Sequence, residues 1–87
     1  MERTRDILVA ARAEALFSSD LPTDVPVDRP SLTAAIASSV RAHGGTRACA
    51  AELAHEYGEH PETAIPRMRW ALAQVRAGYA RSQNPAA

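Results

Sequence analysis

The stretch EYGEHPETAIPRMRW, residues 56–70, decides how the second half of this chain folds. Gly58 follows a helical pattern, and a glycine just past a helix readily takes the left-handed conformation that ends it. Pro61 suits the first position of a new helix, and Glu62 suits the positive first turn of that helix. The stretch therefore predicts one helix that ends at Gly58 and a second that begins near Pro61.

The rest of the chain also predicts helices and no strands, because β-branched and aromatic residues never alternate with polar ones over five or more positions. The spacing of apolar residues predicts four helices, over residues 4–18, 31–43, 47–57 and 61–80. Gly44–Gly45 is expected to end the second of them in the left-handed conformation. The inner stripe of the second comprises Leu32, Ala35, Ile36, Ser39 and Val40, and that of the third Ala50, Leu53, Ala54 and Tyr57. A chain of 87 residues has room for one core. We expect a compact all-α bundle, a single domain of residues 1–81, with a flexible tail over 82–87.

Residues 19–30, SDLPTDVPVDRP, separate the first two predicted helices. The prolines of this segment lie four residues apart, at Pro22, Pro26 and Pro30. Proline at this frequency excludes a helix and favours an extended path. The segment is either a PxxP-type ligand for a partner's groove or a strap across the helices. The strap is favoured because domains that bind PxxP ligands also require basic flanking residues, and this segment is acidic. Leu21, Val25 and Val27 are the apolar side chains that would anchor the strap.

The first predicted helix is apolar on two sides. At about 100° per residue, one side carries Ile7, Leu8, Ala11 and Ala15. The other side carries Val9, Ala13, Leu16 and Phe17. A helix that is apolar on two sides is usually covered on both, and in a small domain the second cover can be another subunit. We therefore predict a subunit interface on the side that carries Val9 and Phe17.

The last predicted helix carries its tryptophan almost opposite its main apolar stripe, which comprises Ile65, Met68, Leu72, Val75 and Tyr79. Beside Trp70 lie the other apolar residues of that side, Pro66, Ala73 and Ala77. Trp70 either covers part of its own chain or forms an interface with these residues. Together with the first helix, this second stripe predicts a symmetric homodimer. Pro66 is expected to kink or restart the helix, because it removes one backbone hydrogen bond.

The residues around Gly58 resemble the helix-turn-helix of small bacterial DNA-binding regulators. In AAELAHEYG, followed by EHPETAIPRM, the small residue Ala54 lies four positions before the turn glycine, flanked by Leu53 and Tyr57. In that family the second helix crosses close over the first at the small residue. The resemblance extends over Ala48–Arg69, and it implies a helix-turn-helix-like corner and a regulatory role through binding to double-stranded DNA.

The same stretch departs from the family pattern in phase and in charge. Glu59 replaces an expected apolar residue, and Ile65 and Met68 lie one position later than the pattern requires. Residues 50–62 carry four glutamates and no arginine, a net charge of −4, whereas residues 63–87 carry four arginines and no acid, a net charge of +4. Unpaired carboxylates near phosphates oppose binding, so the acidic edge argues against docking there.

Five residues are the predicted contacts if DNA is bound: Arg41, Arg47, Thr63, Arg67 and Arg69. Arg67 is the candidate reader of bases because it faces away from the main apolar stripe. Thr63 is a candidate phosphate contact, and Arg41 and Arg47 would hold the DNA backbone. The alternative for the arginines is solvated surface or pairing with the glutamates. The competing function is a protein–protein adaptor that uses Trp70 and the first helix and binds no DNA.

The overall composition narrows the class of protein. The net charge of zero argues against a strong unspecific binder of nucleic acid or membranes. All ten basic residues are arginine, which together with abundant alanine is typical of a GC-rich bacterial genome. A single cysteine fits a reducing cytosol, and no apolar run reaches the length of a membrane span. We expect a cytoplasmic protein without a membrane partner.

No motif predicts an enzyme, a cofactor or a metal site. Cys49 lies in the first turn of the third predicted helix, and His43, His55 and His60 are near it in sequence. A Cys–His nucleophile pair is conceivable, but the simpler interpretation is a small buried residue. The four side chains also lack the close paired spacing of zinc ligands.

Overall fold

The computed structural model describes residues 2–80, which form four α-helices and no strand. The helices are α1 (Glu2–Phe17), α2 (Arg29–His43), α3 (Thr46–Glu59) and α4 (Pro61–Gly78). Each helix packs against the other three. The prediction of an all-α bundle of four helices is confirmed, while the predicted tail, residues 82–87, lies outside the described residues.

The helices α1 and α4 are antiparallel. Arg67, near the start of α4, hydrogen-bonds the carbonyl of Phe17 at the end of α1. At the other end, Arg5 of α1 and Arg76 of α4 line the same groove. The first half of α1 and the last turns of α4 therefore form one end of the bundle, and α3 lies at the other.

The helix α2 begins at Arg29, two residues earlier than predicted. Asp28 is the N-cap, and its Oδ1 accepts a hydrogen bond of 2.8 Å from the backbone N–H of Ser31. Pro30 lies in the first helical turn, where its missing N–H has no helical partner to lose. The helix ends at Gly44, whose φ of 86° is the predicted left-handed stop.

Gly58 does not end α3, so this prediction is wrong. The helix continues through Gly58 to Glu59, and the single residue His60 joins it to α4. His60 has φ −140° and ψ 60°, because the residue before Pro61 is disfavoured in the helical region. The proline, rather than the glycine, therefore sets the corner.

The predicted starts of α1 and α3 also need correction. Thr4 lies inside α1, which begins at Glu2 because the charged residues before Thr4 are good helix formers. Gly45 is the residue before α3, and Thr46 is already helical. Gly45 has a φ of 135°, a conformation that residues with a side chain rarely adopt, so the chain turns there.

α4 begins at Pro61, as predicted, and ends at Gly78, two residues earlier than predicted. Pro66 lies inside the helix, which does not restart. The buried face of α4 is turned by about 70° from the predicted stripe, so Ile65 is 39% exposed. Its centre is Ala71, with small residues one heptad on either side, Ala64 and Gly78. Small residues allow neighbouring helices to approach closely.

Both sides of α1 are covered within this chain near its end. The buried apolar residues of α1 are Ala13, Ala15, Leu16 and Phe17, and Val9 packs against the core. Ala13 and Leu16 form one core cluster with buried residues of α2 and α4, which are Leu32, Trp70, Ala71 and Val75. The prediction that this side of α1 faces a second subunit is wrong for the buried residues, because α1 contacts all three other helices.

The inner face of α3 is centred on Cys49, which is completely buried. Of the predicted α3 stripe, Ala50 and Leu53 are half-buried, whereas Ala54 and Tyr57 are exposed. The helix-turn-helix resemblance placed Ala54 at a close helix crossing, and the exposed position of Ala54 shows that this prediction is wrong. The α2 stripe is confirmed, since Leu32 and Ser39 are buried and its other three residues are half-buried.

Candidate interaction surfaces

The connecting segment 18–28 lies along α4 and runs in the same direction. Three side chains of α4, spaced i, i+3 and i+7, bond successive parts of its backbone. They are Arg67 to the Ser19 carbonyl, Trp70 to the Val25 carbonyl and Gln74 to the Val27 N–H. The apolar side chains of the segment, Leu21, Val25 and Val27, pack against the core. The segment is therefore held to the bundle by both its backbone and its side chains.

Arg67 is an internal clamp, not the exposed base reader that the sequence predicted. Its Nε donates to the Phe17 carbonyl at 2.8 Å, its Nη2 to the Ser19 carbonyl at 2.9 Å and its Nη1 to Thr23 Oγ1 at 3.0 Å. Its guanidinium also lies 5.0 Å from the ring centre of Trp70. Burial lowers the pKa of Arg67 below its ordinary value, although the group stays charged at neutral pH.

One of the two predicted roles of Trp70 required an exposed side chain at an interface, and this prediction is wrong. Trp70 is only 6% exposed, and Val25 of the connecting segment accepts its N–H hydrogen bond at 2.7 Å. The alternative prediction, that Trp70 covers part of its own chain, is confirmed. The three smaller residues predicted beside it, Pro66, Ala73 and Ala77, are exposed.

The remaining predicted DNA contacts are exposed but do not form one cluster. Arg41 and Arg47 flank the turn that precedes α3, whereas Thr63 and Arg69 lie on α4, beyond the other end of α3. A helix of 14 residues such as α3 is about 20 Å long. The hydroxyl of Thr63 donates to the His60 carbonyl at 3.2 Å, a local bond inside the first turn of α4.

Most charged side chains of residues 3–80 are separated from groups of opposite charge. Among residues 3–80, with Arg5 left aside, no arginine lies within ion-pair distance of a carboxylate. His60 and Glu62 form a long pair of 3.9 Å, which depends on protonation of the histidine. The sequence alternative that the arginines pair with the glutamates of residues 50–62 is therefore wrong for Arg41, Arg47, Arg67 and Arg69.

Arginines from three helices gather at one end of the bundle, which we call the arginine end: Arg5, Arg12, Arg29 and Arg76. The guanidinium carbon of Arg12 lies 4.0 Å from the centre of the Tyr79 ring, and that of Arg29 lies 5.1 Å from it. The two cations are therefore within about 9 Å of each other. The Tyr79 hydroxyl is fixed by a 2.6 Å hydrogen bond with Thr33.

Two carboxylates also lie at the arginine end, but neither neutralises Arg12, Arg29 or Arg76. Asp6 lines the groove with Arg5 and Arg76 without an ion pair to Arg76. Asp28 caps α2, and the Ser31 N–H holds its pKa below the ordinary value. The sequence analysis did not find this cluster, because its arginines are far apart along the chain and meet only when α1, α2 and α4 pack.

Carboxylates gather at the opposite end, which we call the acidic corner: Glu52, Glu56, Glu59 and Glu62. Glu52 and Glu56 line a groove of about 360 Å³ together with Arg67. Each of the three guanidinium nitrogens of Arg67 already donates a hydrogen bond to the end of α1 or to the connecting segment. Glu56 and Glu59 lie in the last turn of α3, where the negative end of the helix dipole disfavours a carboxylate. The acidic corner therefore has unfavourable electrostatics in the isolated chain.

The exposed large apolar side chains of residues 3–80 lie at these same two ends. Ile7 and Leu8, at 62% and 46% exposed, are on the first half of α1, beside Arg5. Tyr57 and Ile65, at 40% and 39% exposed, lie on either side of the α3–α4 corner. The side of α1 that carries Ile7 and Leu8 is buried further along, at Ala15, and becomes open only toward the start of the helix.

Cys49 and His43, two of the side chains considered for catalysis or metal binding, contact the backbone of Ser39 inside the fold. Cys49 is buried, as predicted, and its sulfur lies 3.9 Å from the hydroxyl and the carbonyl oxygen of Ser39. His43 Nδ1 is 2.9 Å from that same carbonyl oxygen. Over residues 2–80, no three His, Cys, Asp or Glu side chains come together as metal ligands, and no helix has the length and apolarity to cross a membrane.

Comparisons with known proteins found no relative. No protein-family model matches the chain, and no curated protein or solved structure shows significant similarity to it.

Proposed function

We propose that this chain is a protein–protein interaction module that binds through the two ends of its bundle. One observation carries the proposal: each end combines exposed large apolar side chains with charged groups that have no ion-pair partner in the described part of the chain. These groups are Arg12, Arg29 and Arg76 at one end and Glu52, Glu56 and Glu59 at the other. An apolar centre bordered by charged residues is the usual composition of a protein interface. The adaptor role predicted from the sequence is thereby retained, but it moves from Trp70 to Ile7 and Leu8.

Burial of Ile7 and Leu8 against a partner would stabilise a complex more than burial of the polar residues around them. Complete burial of one such side chain stabilises a complex by about 1.5–3 kcal/mol relative to exposure. Nearby arginine is a residue type that often dominates interface energies. Val9, the next residue of α1, packs against the core, so the helix presents these two side chains beside a fixed position.

A photo-crosslinking residue in place of Leu8 tests the proposal in the cells that make the protein. The matched control places the same residue at Ala37, an exposed position of α2 remote from both ends. We expect discrete covalent adducts to protein from position 8 and none from position 37. Equal or absent crosslinking at the two positions would contradict an interaction role for this end.

DNA binding remains a second candidate, favoured by the arginines that have no carboxylate partner. Unpaired guanidiniums bind phosphates well, and two of them are held together by Tyr79. The contact set differs from the predicted one, because Arg67 is bonded within the chain. A mobility shift that weakens steeply with salt, and is lost when Arg12 and Arg29 become Ala, supports this candidate. A shift that is absent at low salt removes it.

A further inference from the structure

The two ends of this chain complement each other in charge. The arginine end contains four guanidiniums besides the carboxylates of Asp6 and Asp28, the acidic corner contains four carboxylates, and the whole chain has a net charge of zero. Of the guanidiniums at the arginine end, those of Arg12, Arg29 and Arg76 lack a carboxylate in the described part of the chain. The carboxylates of Glu52, Glu56 and Glu59 likewise lack a cation there. Each end thus has the charges that would neutralise the other.

One chain cannot bring its two ends together. They lie at opposite ends of α4, which has 18 residues and a length of about 27 Å. At that distance, exposed charges are screened from each other at physiological salt, since the Debye length is about 8 Å. Neutralisation by the chain's own residues therefore requires a second copy.

We propose that copies of this chain associate head to tail, with the arginine end of one copy bound to the acidic corner of the next. The inference rests on the proposed function and names its partner. Guanidinium and carboxylate groups form strong, directional, often bidentate hydrogen bonds, and the exposed apolar residues of both ends supply the buried centre. The contact also relieves the unfavourable position of Glu56 and Glu59 at the end of α3.

The same charges disfavour a symmetric homodimer that joins like ends. Such a two-fold interface would place arginines against arginines, or glutamates against glutamates. Like charges placed across an interface cost several kcal/mol. A head-to-tail contact uses two different surfaces, and each copy keeps one free end through which a further copy binds.

Two charge-reversed variants test the contact. One replaces Arg12 and Arg29 with Glu, so both of its ends are acidic. The other replaces Glu52, Glu56 and Glu59 with Arg, which leaves Glu62 as the corner's remaining carboxylate, so both of its ends are basic. We expect each variant to sediment as a monomer when alone, because like ends meet. An equal mixture should associate, because the acidic corner of the first variant still matches the arginine end of the second. Circular dichroism on each variant verifies the helical fold.

The wild type is measured beside them by sedimentation at about 0.01 M and about 1 M salt, where the Debye length falls from about 30 Å to about 3 Å. We expect association at low salt that weakens at least about tenfold at high salt. A mixture of folded variants that stays monomeric, or a wild-type dimer insensitive to salt, overturns the proposal.

The crosslinking at position 8 then distinguishes head-to-tail association from the broader proposal that the chain is a protein–protein interaction module. Adducts at multiples of the 9.3 kDa chain support a second copy as the partner. Adducts of other masses, with a wild type that stays monomeric at low salt, overturn head-to-tail association but leave an interaction role intact. The absence of any adduct contradicts both proposals.

Discussion

The indole nitrogen of Trp70 donates a hydrogen bond of 2.7 Å to the carbonyl oxygen of Val25. This bond lies between Arg67 and Gln74, which hold the same connecting segment one turn earlier and one turn later. The buried side of α4 is therefore partly polar, and its polar atoms are matched to the backbone of a segment that forms no helix. This arrangement orders residues 18–28 and gives the tryptophan a cover within its own chain.

Replacement of Trp70 with Phe tests this arrangement. Phenylalanine keeps an aromatic ring but lacks the second ring of the indole, which leaves a small cavity. The Val25 carbonyl also loses its donor, and a buried acceptor without a partner costs about 1–3 kcal/mol. We expect the free energy of unfolding in urea to fall by about 2 kcal/mol. Tyr57→Phe, at an exposed position, is the control and should change it by less than about 0.5 kcal/mol. Equal effects would mean that the bond to Val25 contributes nothing.

Two arginines separated by one residue give a second test. Arg67 makes three hydrogen bonds to the end of α1 and the connecting segment, whereas Arg69 is exposed. Lysine keeps the charge but lacks the planar fork of donors. Arg67→Lys should lower the free energy of unfolding by about 1–2 kcal/mol, and Arg69→Lys by less than about 0.5 kcal/mol. If both variants unfold at the same urea concentration, Arg67 is not a clamp.

Local sequence signals predicted the helices well, and tertiary packing decided the rest. The stop at Gly44 and the start at Pro61 depend on backbone conformations that Gly and Pro favour, so sequence alone identifies them. The same rule failed at Gly58, because glycine permits a helix end without requiring one. A helical wheel also assumes that the largest apolar residues face the core. In α4 the face toward the core is instead centred on the small residue Ala71.

The candidate surfaces were harder to predict than the helices. Arg67 has no feature in the sequence that distinguishes it from Arg69, and only the path of the connecting segment places oxygens around it. Arg12, Arg29 and Tyr79 meet from three parts of the chain. The charge separation was visible in residues 50–62. Only the packed helices show that, within the described residues, Arg12, Arg29 and Arg76 form no ion pair with these glutamates.

Two glycines inside α-helices should respond oppositely to alanine. A Cβ at Gly78 would lie 2.5 Å from Cδ2 of Leu32, a core side chain that would have to shift, whereas a Cβ at Gly58 meets nothing within 4 Å. We expect Gly78→Ala to destabilise the fold by about 1 kcal/mol through overpacking. Gly58→Ala should stabilise it by about 0.5–1 kcal/mol, because alanine favours the helix. A destabilising Gly58→Ala would restore Gly58 as a helix stop.

The cap of α2 predicts a specific dependence on pH. The Ser31 hydrogen bond lowers the pKa of Asp28 in the folded chain, so ionised Asp28 stabilises the fold above the ordinary value of about 3.9. This contribution is lost as the pH falls through the lowered pKa. Asparagine also caps helices, so Asp28→Asn should remove only the effect of the charge.

Urea unfolding of wild type and Asp28→Asn across acidic pH checks this prediction. The stability difference should be constant from neutral pH to about pH 5 and should shrink below about pH 4. Asp20→Asn, at an exposed carboxylate of the connecting segment, is the matched control. A difference for Asp28→Asn that does not change with pH would show that the carboxylate is not held by the cap.

The central claim is that this chain has two distinct binding ends. Backbone amide chemical shifts measured over a dilution series at low salt test it most directly, because they report each residue separately. We predict concentration-dependent shifts in two groups, one around Leu8 and Arg12 and one around Glu56 and Glu59, with little change in the middle of α2. Shifts confined to one group, or none at the highest concentration, would contradict head-to-tail association.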